Sequence, residues 1–419
     1  MSFAEVLAHQ DGVLRLEEVP VRELAERFDT PLYAYSRSAL LERARRFGAA
    51  LGAPHLVAYA IKANMNLAVT KTLVGAGCGV DVTSGGELER ALQVGADPGK
   101  IVYSGVGKRV FEIDRALGAG IRMFNIESLD ELVAVDARAR ALGRRAAIAF
   151  RLNPDVDPKT HPHISTGLRS SKFGIPIEEA PKAYAHARTL ANVDARGVAC
   201  HIGSQLTSIE PLRDSFQRIK DAVLQLRAQG HSIDSIDIGG GLGVDYTGTD
   251  HPPTPELYAT TAFEVVGGLG ATLVCEPGRS LVAGAGVLIA RVLYQKHNGE
   301  KRFVIVDAAM NDYARSALYG AQPRLEFDPP RSGDPQLADL VGPVCETTDR
   351  FVRDRELPPL ENGDLVVLRD TGAYGFAMAS TYNGRPLAAE VMVEGSRVEL
   401  VRRRQAIEET WSGECTPEW

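Results

Sequence analysis

Short apolar runs alternate with amphipathic segments from about residue 55 to residue 278 of the 419-residue chain. The segments between most of these runs have helical periodicity, as in Gly86–Val94 and Pro211–Gln229. Eight apolar runs predict strands, and they are His55–Ala63, Cys78–Ser84, Ile101–Gly105, Met123–Ser128, Ala146–Asn153, Ala195–Ser204, Ser235–Gly241 and Ala271–Gly278. Eight strand–helix alternations of this spacing predict an α/β fold, a parallel (β/α)8 barrel of the TIM type.

The pattern changes after about residue 280, where strand patterns separated by turn residues replace the alternation. These strand patterns are Val287–Tyr294, Arg302–Asp307, Asp364–Leu368 and Pro386–Glu394. We therefore predict three parts: an N-terminal segment at 1–30, a barrel at 31–280 and a β-rich domain at 281–419. The N-terminal segment is expected to pack with the β-rich domain and to join it through a strand at Gly12–Glu17.

One predicted connection, Asn153–Gly174, is too long and polar to be ordinary. Connections of that length inside a compact barrel are usually functional or mobile. It contains His161 and His163, which have no clustered cysteine or carboxylate partners. We therefore predict no metal site.

Composition narrows the class of protein. Hydrophobic residues make up 44% and charged residues 24%, which is typical of a soluble globular protein, and the net charge of −7 argues against nucleic-acid binding. The chain opens on no signal-peptide pattern and has no membrane-spanning run. Five scattered cysteines without a CxxC pair argue against a disulfide framework. These features predict a cytoplasmic enzyme without a membrane partner.

Polar residues fall at the predicted C-terminal ends of nearly all the strands. In a TIM barrel the catalytic groups lie at those ends, so the pattern predicts a site at the barrel mouth. The residues are Lys62, Asp81, Ser84, Ser104, Asn125, Arg151, Asn153, His201, Ser204, Gly239–Gly241, Glu276 and Arg279.

Lys62 ends the first predicted strand. Taken alone, such a lysine either reaches solvent or has its charge removed, and burial would make the amine a nucleophile for a Schiff base. Gly239–Gly243 either makes a tight turn or lets backbone N–H groups approach a phosphate. Glu276–Ser280 offers further donors and a guanidinium. Together with a carboxylate for a pyridine nitrogen, these features predict a pyridoxal-phosphate site.

Seven motifs make the chain similar to the fold-type III pyridoxal-phosphate-dependent decarboxylases, and within them most similar to the diaminopimelate decarboxylases. They run in family order over nearly the whole chain. The motifs are Tyr59–Asn64, Asp81–Leu88, His201–Gln205, Gly239–Gly243, Glu276–Ser280, Cys345–Asp349 and Ala373–Met378.

The resemblance implies a role for each matching residue. Lys62 would hold pyridoxal 5'-phosphate covalently, His201 would stack on the pyridine ring, and Glu276 would pair with the protonated ring nitrogen. Phosphate and ring would be held by Ser204, Gly240, Gly241, Glu276, Pro277, Gly278, Arg279 and Tyr374.

The resemblance also implies a substrate. Arg279, Arg315 and Tyr319 would bind a distal carboxylate, with Tyr374 nearby. Glu346 would recognise a distal ammonium, and Cys345 would protonate the α-carbon. Cys345 and Glu346 would enter the site from the partner subunit of a homodimer. The implied reaction is decarboxylation of meso-2,6-diaminopimelate to L-lysine and carbon dioxide, the last step of lysine biosynthesis.

Simpler interpretations stand beside these roles. Cys345 taken alone would be a buried structural thiol, Arg315 with Tyr319 a surface helix pair, His201 a core histidine and Tyr374 a packing aromatic. The nearest functional rival is a decarboxylase of ornithine, arginine or lysine. A rival from another class is a non-catalytic pyridoxal-phosphate-binding protein. Such proteins are small and lack a β domain, so the residues after 280 count against that class.

Overall fold

The computed structural model describes residues 6–158, 166–167 and 171–419. Chain contacts divide these residues into two compact units. The first contains 41–244 and 251–281, and the second contains 6–40, 245–250 and 282–419. His161 and His163 lie outside the described residues, which leave out 159–165 and 168–170 of the long connection.

The first unit is a closed barrel of eight parallel strands, which confirms the predicted fold class. In chain order its strands are Leu56–Ala60, Gly79–Val82, Ile101–Tyr103, Met123–Ile126, Ala146–Asn153, Val193–Ala199, Ser235–Asp237 and Thr272–Cys275. The last strand pairs with the first, with Val274 opposite Leu56, and this pairing closes the barrel. A two-residue strand, Ile175–Pro176, pairs in parallel with the C-terminal end of the fifth strand.

Helices follow the strands in regular alternation. The α-helices of this part of the chain are Arg37–Leu51, Leu67–Gly75, Gly85–Gln93, Val110–Ala119, Leu129–Ala141, Ala180–Arg188, Glu210–Ala228, Pro255–Val266 and Arg279–Val282. Several begin at a side-chain cap, as at Ser128, whose hydroxyl accepts from the Glu131 N–H at 3.2 Å. Ser84 caps the helix Gly85–Gln93 in the same way, because its hydroxyl accepts from the Glu87 N–H at 3.3 Å.

The barrel interior changes from apolar to polar along the strands. Successive side chains alternate between the two faces of a strand, so residues two apart share the interior face. Val102 and Val274 pack in an apolar interior cluster with Leu56 and Ala58. Ser104 lies two residues after Val102, and Glu276 lies two residues after Val274, so both point to the same interior face. Both residues are buried. The interior therefore ends in a polar layer at the C-terminal mouth.

The second unit is mostly β, as predicted. Its main sheet and the strands paired to it are Leu32–Ser36, Gly286–Asn298, Lys301–Val306, Leu325–Asp328, Gln336–Val341, Arg350–Leu357, Leu365–Leu368, Ala389–Glu394 and Arg397–Arg402. Its α-helices are Val21–Phe28 and Arg315–Tyr319. Alternate residues of Leu32–Ser36, Gly286–Asn298 and Ala389–Glu394 form its hydrophobic core.

The N-terminal region packs with the β unit through its core, while a later strand enters the main sheet. The strand Val13–Leu16 pairs with Leu7–Gln10 and Val19–Pro20 in a separate three-stranded sheet, and only its apolar side chains join the core of the β unit. The strand that enters the main sheet is Leu32–Ser36, which pairs with Gly286–Asn298 and Ala389–Glu394. By chain contacts the first compact unit begins at residue 41, whereas the predicted barrel begins at residue 31.

Within the described ranges, no helix is both long enough and apolar enough to cross a lipid bilayer.

Candidate active site

Lys62 lies in a single 3-10 turn, Ile61–Ala63, directly after the first barrel strand. Its Nζ is 3.4 Å from Oδ2 of Asp81, at the end of the neighbouring strand. The Asp81 carboxylate is fully buried, whereas 37% of the Lys62 side chain is exposed. The amine is thus held by a buried carboxylate and remains accessible from the mouth, which satisfies its charge without full burial.

Glu276 is part of a compact buried polar cluster. The amide Nδ2 of Asn125 donates to Ser104 Oγ at 3.1 Å, to Asp237 Oδ2 at 3.0 Å and to Glu276 Oε1 at 3.4 Å. Ser104 Oγ also donates to Glu276 Oε1 at 3.3 Å. Two carboxyl groups therefore share one amide inside the barrel.

This crowding changes the protonation of Glu276. Burial, followed by the charges of Asp237 and Asp81, raises the pKa of Glu276 well above its ordinary value, and Lys62 only partly opposes the shift. Burial also raises the pKa of Asp237. The pair thus keeps a proton to higher pH than a free carboxyl group would, since two adjacent buried carboxylates are costly to ionise together.

His201 is fixed in the neutral form. Its Nδ1 accepts a hydrogen bond from the backbone N–H of Gly240 at 3.2 Å, so the ring proton lies on Nε2. Burial, with the positive charges of Arg151 and Lys62, lowers the pKa of His201 well below 6.5. His201 is therefore a neutral imidazole at the barrel mouth, with its N–H group at Nε2.

Three consecutive glycines bring backbone segments together beside that ring. A Cβ on Gly240 would overlap the Glu276 carbonyl oxygen, and one on Gly239 would overlap the Cys200 carbonyl oxygen. Gly239 and Gly241 also have positive φ, of 68° and 100°. Glycine is therefore required by close approach and not only by a turn.

Ser204 and Arg279 meet beside the glycine segment. The Arg279 guanidinium donates to Ser204 Oγ at 3.3 Å from Nε and 3.1 Å from Nη2, and Arg279 is 6% exposed. A hydroxyl and a buried cation at the end of the last barrel strands form a group suited to an anion.

Arg315 begins the short helix Arg315–Tyr319 of the β unit and is only 5% exposed, so the interpretation as a surface helix pair is wrong. Its guanidinium lies 4.1 Å from the ring centroid of Tyr246, and Nη1 donates to the Tyr313 hydroxyl at 3.1 Å. The buried Nε has no hydrogen-bond partner among the described residues. Tyr319, one turn later, is half-buried.

Cys345 is exposed, so the interpretation as a buried structural thiol is also wrong. Its backbone N–H donates to Asn383 Oδ1 at 2.9 Å, and Glu346 Oε1 accepts from the Tyr382 hydroxyl at 2.6 Å. Asp349 fixes this loop, because its carboxylate accepts from the Val344 N–H at 2.7 Å. A solvent-facing thiol and carboxylate are thus held side by side.

Tyr374 has a φ of 55°, an unusual backbone conformation for a bulky residue. The glycines on either side are closely packed: a Cβ on Gly372 would overlap the Val282 carbonyl oxygen, and one on Gly375 would overlap the Thr371 carbonyl oxygen. A strained residue held by its surroundings is a feature often found at functional sites.

The two sets of predicted residues thus belong to different units. The barrel mouth carries Lys62, His201, Ser204, Gly240, Gly241, Glu276, Pro277, Gly278 and Arg279. The β unit carries Arg315, Tyr319, Cys345, Glu346 and Tyr374.

Sequence reasoning missed Asp237. It ends the seventh barrel strand, is 3% exposed, and also accepts from the Gly239 N–H at 2.9 Å. The available signal was a charged residue inside the apolar run that precedes the three glycines.

Comparison with known proteins identifies chains that are similar over nearly the full length of this one. A family model described as the pyridoxal binding domain of pyridoxal-dependent decarboxylases matches residues 37–283. A Pseudomonas aeruginosa protein named diaminopimelate decarboxylase is 48% identical over 98% of this chain and 99% of its own length. One from Vibrio cholerae, with the same name, is also 48% identical, over 96% and 97%.

Solved structures agree with the sequence comparison. Diaminopimelate decarboxylase from M. jannaschii, in co-complex with L-lysine, is 38% identical with a TM-score of 0.94, covering 100% of this chain and 99% of that one. The Helicobacter pylori enzyme of that name, complexed with L-lysine, is 41% identical with a TM-score of 0.90, covering 93% and 98%.

Proposed function

We propose that the chain, which belongs to the diaminopimelate decarboxylase family of pyridoxal-dependent decarboxylases, converts meso-2,6-diaminopimelate to L-lysine and carbon dioxide. The relatives of that name match nearly the full length of the chain, including both units. The cofactor would be pyridoxal 5'-phosphate.

The residues present fit that cofactor. Asp81 Oδ1 and Asn125 Oδ1 are buried without a hydrogen-bond partner among the described residues, so the mouth has unused acceptors. Glu276 retains a proton because burial and the neighbouring Asp237 and Asp81 outweigh the charge of Lys62, so a closer cation would be needed to stabilise its carboxylate. A protonated ring nitrogen beside Glu276 would supply that cation.

The predicted cofactor-binding residues would then have the following tasks. Lys62 would hold the cofactor through its amine, and neutral His201 would lie against the ring face. Ser204, Gly240 and Gly241, with Pro277, Gly278 and Arg279, would hold the phosphate and ring, as would Tyr374. The bound cofactor supplies an electron sink for the pair of electrons left when carbon dioxide departs.

Glu276 and Asp237 keep that sink effective. Glu276 would pass its proton to the ring nitrogen. As a carboxylate, Glu276 would then stabilise the resulting N–H⁺ group. Cys345 would give its thiol proton to the substrate α-carbon after carbon dioxide leaves. Solvent would restore the thiol proton.

Arg315 carries the choice of substrate. A buried guanidinium with an unpaired Nε favours a carboxylate ligand, because an unsatisfied buried donor is costly. Diaminopimelate presents a second carboxylate, whereas ornithine, arginine and lysine do not. Arg279 and Tyr319 would assist at that carboxylate, and Glu346 would accept from the distal ammonium.

We further propose a homodimer in which Cys345 and Glu346 complete the partner's site. Their exposure in a single chain supports this, since a proton donor works best where water is excluded. A cytoplasmic location is proposed because all five cysteines are free thiols.

Turnover of four amino acids by the pyridoxal-phosphate-loaded protein tests the proposal. Meso-diaminopimelate should be converted with kcat/KM at least about 100-fold above lysine, ornithine or arginine, because the competitors leave Arg315 unpaired. Efficient ornithine turnover without diaminopimelate turnover would establish the rival decarboxylase. Cofactor binding without any turnover would establish the non-catalytic carrier.

A further inference from the structure

Lys108 is a lysine whose side chain is completely buried at the barrel mouth. Its ammonium donates to the carbonyl oxygen of Gly105 at 2.9 Å, to that of Asn125 at 2.7 Å and to Glu131 Oε1 at 2.6 Å. The ammonium also lies 5.5 Å from the centroid of the Tyr103 ring. All three of its N–H donors are therefore satisfied, in a fixed geometry.

One of these bonds leads directly to the Glu276 cluster. Lys108 holds the backbone carbonyl of Asn125, and the side-chain amide of the same residue donates to Ser104, Asp237 and Glu276. A backbone shift at Asn125 would move the amide that both carboxyl groups share. Lys108 is thus one residue away from the proposed partner of the ring nitrogen.

A second series of contacts leads towards His201. The other oxygen of Glu131 accepts from the Glu127 N–H at 2.9 Å, and the Glu127 side chain pairs with Arg151 at 3.1 Å. Arg151 Nη2 donates to the backbone carbonyl of His201 at 3.4 Å. The Lys108–Glu131 pair thus anchors the strand ends on which both ring-contacting groups depend.

The stability of the fold does not by itself explain why the Lys108–Glu131 pair is buried. A buried ion pair often stabilises a fold no more than apolar residues of similar volume, because both charges lose their hydration. We infer that Lys108 is a positioning residue, which acts through Asn125 to place the Glu276–Asp237 pair for the cofactor ring. The inference rests on the proposed function, since it concerns the residues proposed to meet the ring nitrogen.

A double-mutant cycle on cofactor binding tests this inference. The dissociation constant for pyridoxal 5'-phosphate, and the absorption spectrum of the bound form, would be measured for apo wild type, Lys108→Met, Asn125→Ala and the double variant. If Lys108 acts through Asn125, each single variant weakens binding by about tenfold. The double variant should then bind the cofactor with the same affinity, within about twofold, as the single variant that binds it less tightly.

The matched control is Lys301→Met in the β unit. Lys301 pairs at 2.7 Å with Asp339, whose side chain is fully buried, so the substitution also leaves a buried carboxylate without its lysine. Cofactor affinity and spectrum should stay within about twofold of wild type in this variant, whatever its stability.

Two results would overturn the inference. The first is a double variant in which the two losses multiply, which means that Lys108 and Asn125 act independently. The second is wild-type affinity in Lys108→Met. If Lys108→Met does not fold, Glu131→Gln replaces it in the same cycle, with the same two outcomes. Failure of the wild-type protein to bind the cofactor would instead refute the proposed function.

Discussion

The raised pKa of Glu276 makes the contribution of this residue to stability dependent on pH. In the unfolded chain it ionises near its ordinary pKa of 4.5, whereas burial and the nearby Asp237 and Asp81 keep it protonated to higher pH in the folded apo protein. Above that pKa the folded state binds more protons than the unfolded state. The apo protein therefore loses stability as the pH rises through this window.

Glu276→Gln should remove that loss, because the amide is neutral at every pH. The apo variant is expected to exceed apo wild type in free energy of unfolding by roughly 1–3 kcal/mol at about pH 8, and by less at about pH 5. Its affinity for pyridoxal 5'-phosphate should fall, since the ring nitrogen loses its carboxylate. Urea unfolding at the two pH values measures the difference, and a difference independent of pH would contradict the account.

Cys345→Ala tests the proton donor. The thiol is exposed and distant in sequence from the barrel motifs, so the variant should bind cofactor as wild type does. Its kcat should fall by about 100-fold or more, because no other group is assigned to protonate the α-carbon. Cys415→Ala, a second exposed thiol, is the control and should retain wild-type kcat. Unchanged turnover in Cys345→Ala would remove the assignment.

At the scale of elements, the glycine segment after the seventh strand has little tolerance for a side chain. Gly240→Ala places a methyl group against the Glu276 carbonyl oxygen, so either the strand ends separate or the fold loses stability. We expect weaker cofactor binding and a loss of about 1–3 kcal/mol in unfolding free energy.

Gly48→Ala is the matched control for that substitution. Gly48 lies within the helix Arg37–Leu51, and a Cβ there has nothing within 4 Å. Alanine should stabilise the protein by about 0.5–1 kcal/mol, since glycine is unfavourable inside a helix. Equal cofactor binding by the two variants would show that the Gly240 contact has no functional role.

The order of the elements could be predicted because each barrel strand is a short apolar run between amphipathic helices. The predicted strands were generally too long at their C-terminal ends. Lys62 and His201, for example, lie just beyond the hydrogen-bonded ladder, where backbone groups are free to form turns. Strands such as Arg350–Leu357 were missed, since charged residues interrupt their apolar pattern.

The site residues also divide into those that the local sequence predicts and those that it does not. Lys62, His201 and Glu276 could be found because local motifs surround them. Asp237 has only the weak signal of a charge inside an apolar run, and Lys108 has none. The importance of both comes from contacts between strands far apart in sequence, such as the amide of Asn125 bridging to Asp237. Burial of a lysine is a property of the fold and has no local sequence signal.

At the scale of the whole molecule, shared sites in a homodimer can be tested by mixing two inactive variants. Lys62→Ala lacks the cofactor amine, and Cys345→Ala lacks the proton donor. If each site combines Lys62 of one chain with Cys345 of the other, a mixed dimer contains one intact site. Random reassortment should therefore restore about a quarter of wild-type activity. No recovery after subunit exchange, verified by differently tagged chains, would contradict shared sites.

The most direct test of the central claim is the stoichiometry of the reaction with meso-diaminopimelate. The cofactor-loaded protein should release one carbon dioxide for each L-lysine formed, and Lys62→Ala should release neither at a rate above about a thousandth of wild type. Carbon dioxide and lysine in equal amounts from the wild type alone would support the account. Absence of lysine, or undiminished turnover by Lys62→Ala, would contradict it.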